Sequence, residues 1–243
     1  MRILIVGDIH SNLEAFQSVL NHAEGQGSFQ KVWCLGDTVG YGPDPGPCID
    51  LLLQHTPLNV AGNHDHGSVG LVSLDAFNPY AAFACRWTAL NLSEEQKAYL
   101  KNLPLTQTEE AFTMAHGSLR DPIWEYLLDQ EAATATFHLL KTLRCLVAHS
   151  HIPFICVDAP RGPAFLPLPE GKPMPLKDQR IILNPGSVGQ PRDGDPRASY
   201  VMYDDSTQSV TLHRVEYDIP ATQEKMAHAK LPEPLITRLA LGH

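Results

Sequence analysis

Nine side chains in this sequence have the types and spacing from which a two-metal centre could be built: Asp8, His10, Asp37, Asn63, His64, Asp65, His116, His149 and His151. They are carboxylates, an amide and imidazoles, with no thiolate among them. Such donors suit Mn, Fe or Zn ions better than calcium or a sulfur-seeking metal. Two ions about 3.5–4 Å apart can hold both sides of a phosphoryl displacement. A shared carboxylate is the natural bridge, and Asp37, alone after its apolar run, is the best placed for that role.

The elements that must position these residues are legible as short apolar runs. Ile3–Val6 leads into Asp8, Val32–Leu35 into Asp37, and Cys145–Val147 into His149. Runs of this length read as buried strands. In an open α/β sheet the loops beyond the strand carboxyl ends converge on one crevice. Ser11 with Glu14 spells a capping box, which predicts a helix just after the Asp8–His10 turn. Its N-terminal amides would add to an anion-friendly field. A second strand is predicted over Lys31–Leu35, a helix from Pro45 with Asp44 as its cap, and a third strand over Leu58–Ala61.

Ser73–Leu103 reads as mostly helical, with starts at Asn78–Pro79 and at Ser93 with Gln96. Tyr80, Phe83, Trp87 and Leu90 recur at helical spacing and predict a core face. Beyond residue 104 strands dominate: Glu110–Ala115, Leu143–Ala148, Phe154–Val157, Arg180–Leu183, Ser199–Tyr203 and Val210–Val215. Six prolines between Asp158 and Lys177 point to a surface loop or edge hairpin. The stretch Pro220–His243 reads as a helical tail on the domain or on a partner. His22, His55, His66, His138, His213, His228 and His243 belong to no motif and are assigned packing or surface roles.

Five motifs occur in order: Asp8-Ile9-His10, Gly36-Asp37, Gly62-Asn63-His64-Asp65, His116, and Ala148-His149-Ser150-His151. From about Met1 to Tyr217 the chain resembles the calcineurin-like metallophosphoesterase superfamily, whose motifs are D-x-H, G-D, G-N-H-D/E, H and G-H-x-H. The stretches Gly36–Pro45 and Asn184–Arg192 look most like its small bacterial and archaeal phosphodiesterase and dinucleoside-polyphosphate hydrolase branch. Ala148 stands where the superfamily usually has glycine. Alanine there is strained if the position needs a positive φ.

The resemblance implies an α/β fold, a four-layer α/β/β/α sandwich of two mixed β-sheets flanked by helices. It implies a domain over residues 1–219 followed by the tail 220–243. It implies two divalent transition-metal ions, one held by Asp8, His10, Asp37 and His151, the other by Asp37, Asn63, His116 and His149. A hydroxide bridging the ions would attack phosphorus in line. His64 would act on the leaving-group oxygen as general acid or transition-state stabiliser, with Asp65 orienting it. Asn12, two residues beyond His10, and Arg192, in the second closely matching stretch, are candidate substrate contacts. The protein-phosphatase branch resembles G-D-x-x-D-R-G, with an arginine that clamps phosphate. Here Gly36–Gly42 has no arginine, so a phosphodiester or a phosphoanhydride such as diadenosine tetraphosphate fits better. Tyr41, Arg86 and Arg192 are the residues expected to meet the second arm of such a substrate. A phosphomonoesterase acting on proteins or small molecules is the alternative. A binding scaffold, like the retromer subunit of the superfamily, is a further one, disfavoured by retention of His10, His64 and His116.

Composition sets outer bounds. The 243 residues, 43% hydrophobic, suffice for one large core. A net charge of −9 supplies no basic stripe for a nucleic-acid polymer. A phosphate-containing small molecule, most simply a nucleotide, remains the expected partner, because bound divalent ions dominate the local charge. A homo-oligomer stays open. No stretch of 18 apolar residues predicts a membrane span, and no secretion signal opens the sequence. The cysteines Cys34, Cys48, Cys85, Cys145 and Cys156 show no C-x-x-C pairing and lie mostly in apolar runs. Reduced, packed thiols predict a cytoplasmic location.

Overall fold

The computed structural model describes residues 1–55 and 57–243. The chain begins with β1 (Arg2–Val6), α1 (Leu13–Gly25), β2 (Lys31–Cys34), α2 (Pro45–Leu53) and β3 (Leu58–Asn59). Next come α3 (Asn63–Ser68), α4 (Pro79–Leu90), α5 (Glu94–Lys101), β4 (Thr106–Glu109), β5 (Phe112–Ala115), α6 (Gln130–Leu139) and β6 (Arg144–Leu146). It ends with β7 (Phe154–Ala159), β8 (Gly162–Leu166), β9 (Met174–Pro175), β10 (Ile181–Asn184), β11 (Ala198–Asp204), β12 (Ser209–Val215), α7 (Ile219–His228) and α8 (Glu233–Thr237).

Two six-stranded mixed sheets result, in the orders β3-β2-β1-β11-β12-β9 and β4-β5-β6-β10-β7-β8. Residues alternate across a strand, and β1 uses both faces. Ile3 and Ile5 join Trp33, Val201 and Leu212 against Phe112, Met114, Leu146 and Leu183 of the other sheet. Leu4 and Val6 face outward, against Phe16, Val19 and Leu20 of α1. On the opposite side Ala133 and Phe137 of α6 cover Cys145, Cys156 and Ile182. The four layers α/β/β/α follow directly. Each fully buried Leu or Phe in these layers contributes roughly 1.5–3 kcal/mol.

This topology positions the site. Strands β1, β2 and β3 are mutually parallel, as are β5, β6 and β10. Each trio therefore opens its carboxyl-end loops at one end of its sheet, and those loops carry every candidate ligand.

Several local expectations change. Ser11 does not cap α1. Asn12 does, accepting from the Ala15 amide at 3.1 Å, while Glu14 faces Lys225 and Thr222 of α7. Asp44 occupies the cap position of α2 without a capping hydrogen bond, and its carboxylate meets Lys225 at 2.9 Å instead. Both acids are claimed by a lysine from the C-terminal segment, an ion pairing that local sequence cannot reveal. The stripe Tyr80, Phe83 and Leu90 is exposed, Leu90 to 85%. The buried face of α4 is Ala81, Ala84, Cys85 and Thr88, whose small side chains let this helix approach the site closely. The capping residues Asn78 and Ser93 stand as expected.

The proline-rich stretch forms the edge hairpin β7–β8 and then β9, crossing from the edge of one sheet to the edge of the other. Helices α7 and α8 and the 3-10 turn Arg238–Ala240 make up most of the tail 220–243, and Met226, Leu231, Leu235, Ile236 and Leu239 pack with Tyr41, Ala81 and Ala84. All five cysteines are free and buried. No helix among the described residues is long and apolar enough to cross a membrane.

Candidate active site

The seven candidate ligands converge, buried to 5% exposure or less. Asp8, His10 and His151 form one group with ligand atoms within 4.8 Å of one another, and Asp37, His116 and His149 form another. Asn63 Oδ1 lies 3.2 Å from His116 Nε2, beside the second group. Asp37 stands between the groups, with Oδ2 3.6 Å from His10 Nε2 and 3.3 Å from His116 Nε2. His64 also comes within 4.8 Å of the His10 and Asp37 ligand atoms.

The outer nitrogen of each ligand imidazole meets a main-chain carbonyl. His10 Nδ1 meets Val39, His116 Nδ1 Leu35, His151 Nδ1 Gln190, and His149 Nε2 Trp124. A carbonyl only accepts, so each of these nitrogens donates, and each tautomer is thereby set. The inner nitrogens then converge in pairs: His10 Nε2 lies 3.2 Å from His151 Nε2, and His116 Nε2 lies 3.1 Å from His149 Nδ1. Both carboxylate oxygens of Asp8 are buried without any hydrogen-bond partner. Converging bases and an orphaned carboxylate are costly alone and satisfied by cations. The donor set fits divalent metal ions.

Protonation follows the same logic. Burial pushes His10 and His151 well below the ordinary imidazole value and His149 to about 3, leaving neutral imidazoles ready to ligate. Burial pushes the Asp8 carboxyl up, and the neighbouring charge of Asp37 adds to it against the pull of His116. Burial would also raise Asp37, but His116, His64 and His10 outweigh it and hold that carboxyl well below its usual range. Burial alone would depress His116; Asp37 and Asp8 reverse that and lift it to about 9.

Five of the ligands sit in left-handed backbone: Asp8 (φ 52°), His10 (49°), Asp37 (52°), His149 (65°) and His151 (60°). Non-glycine residues pay about 1–2 kcal/mol there, tolerated only where surroundings over-determine the conformation. The stretch Asn184–Arg192 supplies that constraint. Asn184 Nδ2 holds the Ala148 carbonyl at 2.8 Å, and the Ser187 hydroxyl and Gly189 amide both bond the Asp8 carbonyl at 2.9 Å. Ala148 itself has no positive φ, so alanine there carries no left-handed strain.

Gly62 presses on Asp37. A Cβ built there would lie 2.0 Å from Asp37 Oδ1 and 2.4 Å from the Asp37 amide nitrogen. Gly62→Ala should therefore displace Asp37, lowering bound metal per chain and cutting kcat/KM by about 10²-fold or more, as misplacement of about 1 Å does. Elemental analysis beside steady-state kinetics checks this; wild-type values for both would show that the loop yields without cost.

Other expected site residues fall differently. His64 lines the cavity, but Asp65 does not orient its ring. The Asp65 carboxylate accepts from the Gly62 amide at 3.0 Å and the Val39 amide at 3.1 Å, tying the two ligand loops together. The partner of His64 Nδ1 is Cys85 Sγ, 3.4 Å away on α4. Asn12 is no free substrate contact: its Oδ1 caps α1 and accepts from Thr222, while Nδ2 donates to the Gly189 carbonyl. Arg192 lines the cavity with Asp37, Asn63, His64 and His149, whereas Arg86 is exposed on α4 and does not.

An aromatic wall, not expected from the motifs, completes the cavity. Phe77, Trp124 and Tyr126 line the same cavity. Tyr126 stacks on His149, ring centroids 4.1 Å apart at 11°, and Trp124 packs edge-on to Phe77. The aromatic pair in Ile123-Trp124-Glu125-Tyr126, in a turn-rich segment soon after His116, was the available signal.

Fold and donor set together define a class. The chain belongs to the calcineurin-like phosphoesterase superfamily, whose domain matches residues 1–208, and it is a metal-dependent phosphoesterase. It is 42% identical over 245 residues to the uncharacterized protein MJ0912 of Methanocaldococcus jannaschii, covering 99% of this chain and 98% of that one. The crystal structure of a metallophosphoesterase from Sphaerobacter thermophilus is similar across 100% of this chain and 99% of its own, with a TM-score of 0.91 and 44% identity. A symmetrical bis(5'-nucleosyl)-tetraphosphatase of Glaesserella parasuis is 26% identical over 148 residues, 60% of this chain and half of that protein.

Proposed function

We propose that this enzyme hydrolyses phosphodiester or phosphoanhydride bonds of small nucleotide-like substrates, a dinucleoside polyphosphate being the type example. The observation that carries the reading is the cavity itself, which is lined by metal-ligand candidates, by Arg192 and by the aromatic residues Phe77, Trp124 and Tyr126. The partial similarity to a dinucleoside tetraphosphatase supports it.

Asp8, His10, Asp37 and His151 would hold one divalent ion, and Asp37, Asn63, His116 and His149 the other. Mn, Fe and Zn all suit these donors. When bound, such ions make water nucleophilic near neutral pH and absorb charge on phosphoryl oxygens. The chain's own residues do the rest. The His64 side chain, held against Cys85 Sγ, donates toward the leaving oxygen from its other nitrogen. The Arg192 guanidinium neutralises substrate charge, and Phe77, Trp124 and Tyr126 offer ring faces to an aromatic arm.

No guanidinium is supplied from Gly36–Gly42 to clamp a dianionic monoester end. Diester and anhydride substrates should accordingly show higher kcat/KM than phosphoserine peptides. Arg192→Ala should raise KM about tenfold for a nucleotide substrate, the loss of one charged hydrogen bond, and less for a small chromogenic diester. A substrate panel on metal-stripped protein reloaded with single metals tests this. Preferred turnover of phosphopeptides would overturn the specificity while sparing the metal centre.

A further inference from the structure

Four of the ten arginines are neutralised. Arg120, Arg180, Arg197 and Arg214 each meet a carboxylate. Arg192 and Arg238 differ: among the described residues no carboxylate side chain lies within 4.0 Å of either guanidinium. The side chains that accept from Arg192 are neutral. Arg192 Nη2 donates to Gln190 Oε1 at 3.1 Å and to the Tyr41 hydroxyl at 3.4 Å, and its buried Nε has no partner. Arg238, in the 3-10 turn Arg238–Ala240, gives its Nε to an oxygen of His243, the last residue of the sequence, and no hydrogen bond from its two Nη groups is found among the described residues.

Both guanidinium carbons lie near one ring. They are 5.8 and 5.9 Å from the centroid of Tyr41. Two like charges thus share a single aromatic side chain, in a protein whose acids outnumber its lysines and arginines 27 to 18. Burial and the charge of Arg192 push the Arg238 guanidinium down from its ordinary value. Tyr41 in turn touches the reaction centre, its ring centroid 4.2 Å from that of His64 and 4.6 Å from that of His10. The arrangement is held from behind, where Leu235, Ile236 and Leu239 pack with Tyr41. The last segment of the chain both backs Tyr41 and delivers Arg238.

We propose that Arg192 and Arg238 form a second anion subsite beside the ligand cluster, which holds a further phosphate of a substrate whose attacked phosphorus lies among the ligands. Paired guanidinium forks match phosphoryl oxygens in geometry and charge. A diester with one phosphorus cannot fill both places; a chain of two or more linked phosphates can. The inference rests on the phosphoester and anhydride reading above and narrows it to phosphoanhydrides.

The decisive measurement compares two inhibitors of bis(p-nitrophenyl) phosphate hydrolysis by the metal-loaded enzyme, inorganic pyrophosphate and orthophosphate, with free metal held constant. Pyrophosphate should bind tighter by about tenfold or more, the worth of added charge-assisted hydrogen bonds. Arg238→Gln should shrink that ratio several-fold, Arg238→Lys, which keeps the charge without the fork, should restore only part of it, and a melting curve would show that each variant is folded. If Arg238→Gln loses the fold, Arg192→Gln takes its place in the same comparison. A ratio left unchanged in folded Arg238→Gln and Arg192→Gln, or no excess affinity for pyrophosphate in the wild type, overturns the subsite. Turnover of a dinucleoside tetraphosphate is scored separately. Its absence would remove the anhydride reading of the reaction, while the inhibitor ratio would still decide the subsite.

Discussion

Asp37→Asn is expected to abolish turnover and to strip metal from both positions at once. Asp37 Oδ2 faces His10 in one group and His116 in the other, and Oδ1 accepts from the His64 amide at 2.8 Å. The amide removes a negative charge from a place where two cations would share it, at a cost of several kcal/mol, or at least about 10³-fold in rate. Metal analysis should find well under two ions per chain. By contrast, a change confined to one group, such as His151→Ala, should leave the other group's ion largely in place. Two tightly held ions in Asp37→Asn would exclude the bridging role.

His64→Ala should separate chemistry from metal binding. The ring lies against Cys85 and Tyr41 in the cavity, and burial depresses it to about 4. It is therefore neutral near pH 7 and able to donate a hydrogen bond without carrying charge. Its loss should lower kcat by about 10²–10³-fold, the usual worth of one preorganised hydrogen-bond donor, with metal content unchanged. The defect should shrink for p-nitrophenolate, a leaving group that needs no proton. Equal defects for good and poor leaving groups would leave His64 only a positional or electrostatic part.

The legibility of this protein in its sequence is uneven for physical reasons. The strands β1, β2 and β6 were visible because continuous apolar runs are required of strands buried on both faces. The ligands were visible because each follows such a run by one to four residues. Strand β4 was not, since Thr106–Glu109 is polar and half exposed at a sheet edge. The short helix α3 and the alanine-rich α6 carry weak periodicity and escaped too. Inverting the face of α4 has a specific cause: Ala81, Ala84 and Cys85 are small because the helix must come within reach of His64, and small residues leave no periodic signal. Long-range engagements escaped altogether. Nothing local announces that Asn12 would be consumed by Gly189 and Thr222, that Asp65 would serve two backbone amides, or that residue 238 would meet residue 41.

The packing of Gly40 against His64 bears on how such sites can change over evolutionary time. A Cβ at position 40 would lie 2.4 Å from His64 Nδ1, and the backbone there has φ +92°. Position 40 is where G-D-x-x-D-R-G has its second aspartate, and position 41, occupied by tyrosine, is where it has arginine. An aspartate introduced at 40 would meet the imidazole before it could partner it, and would compete with Cys85 for the same nitrogen. A step toward the phosphatase-like motif that begins at position 40 is therefore expected to displace His64 first, so the order in which positions 40 and 41 change matters for keeping an active site along the way.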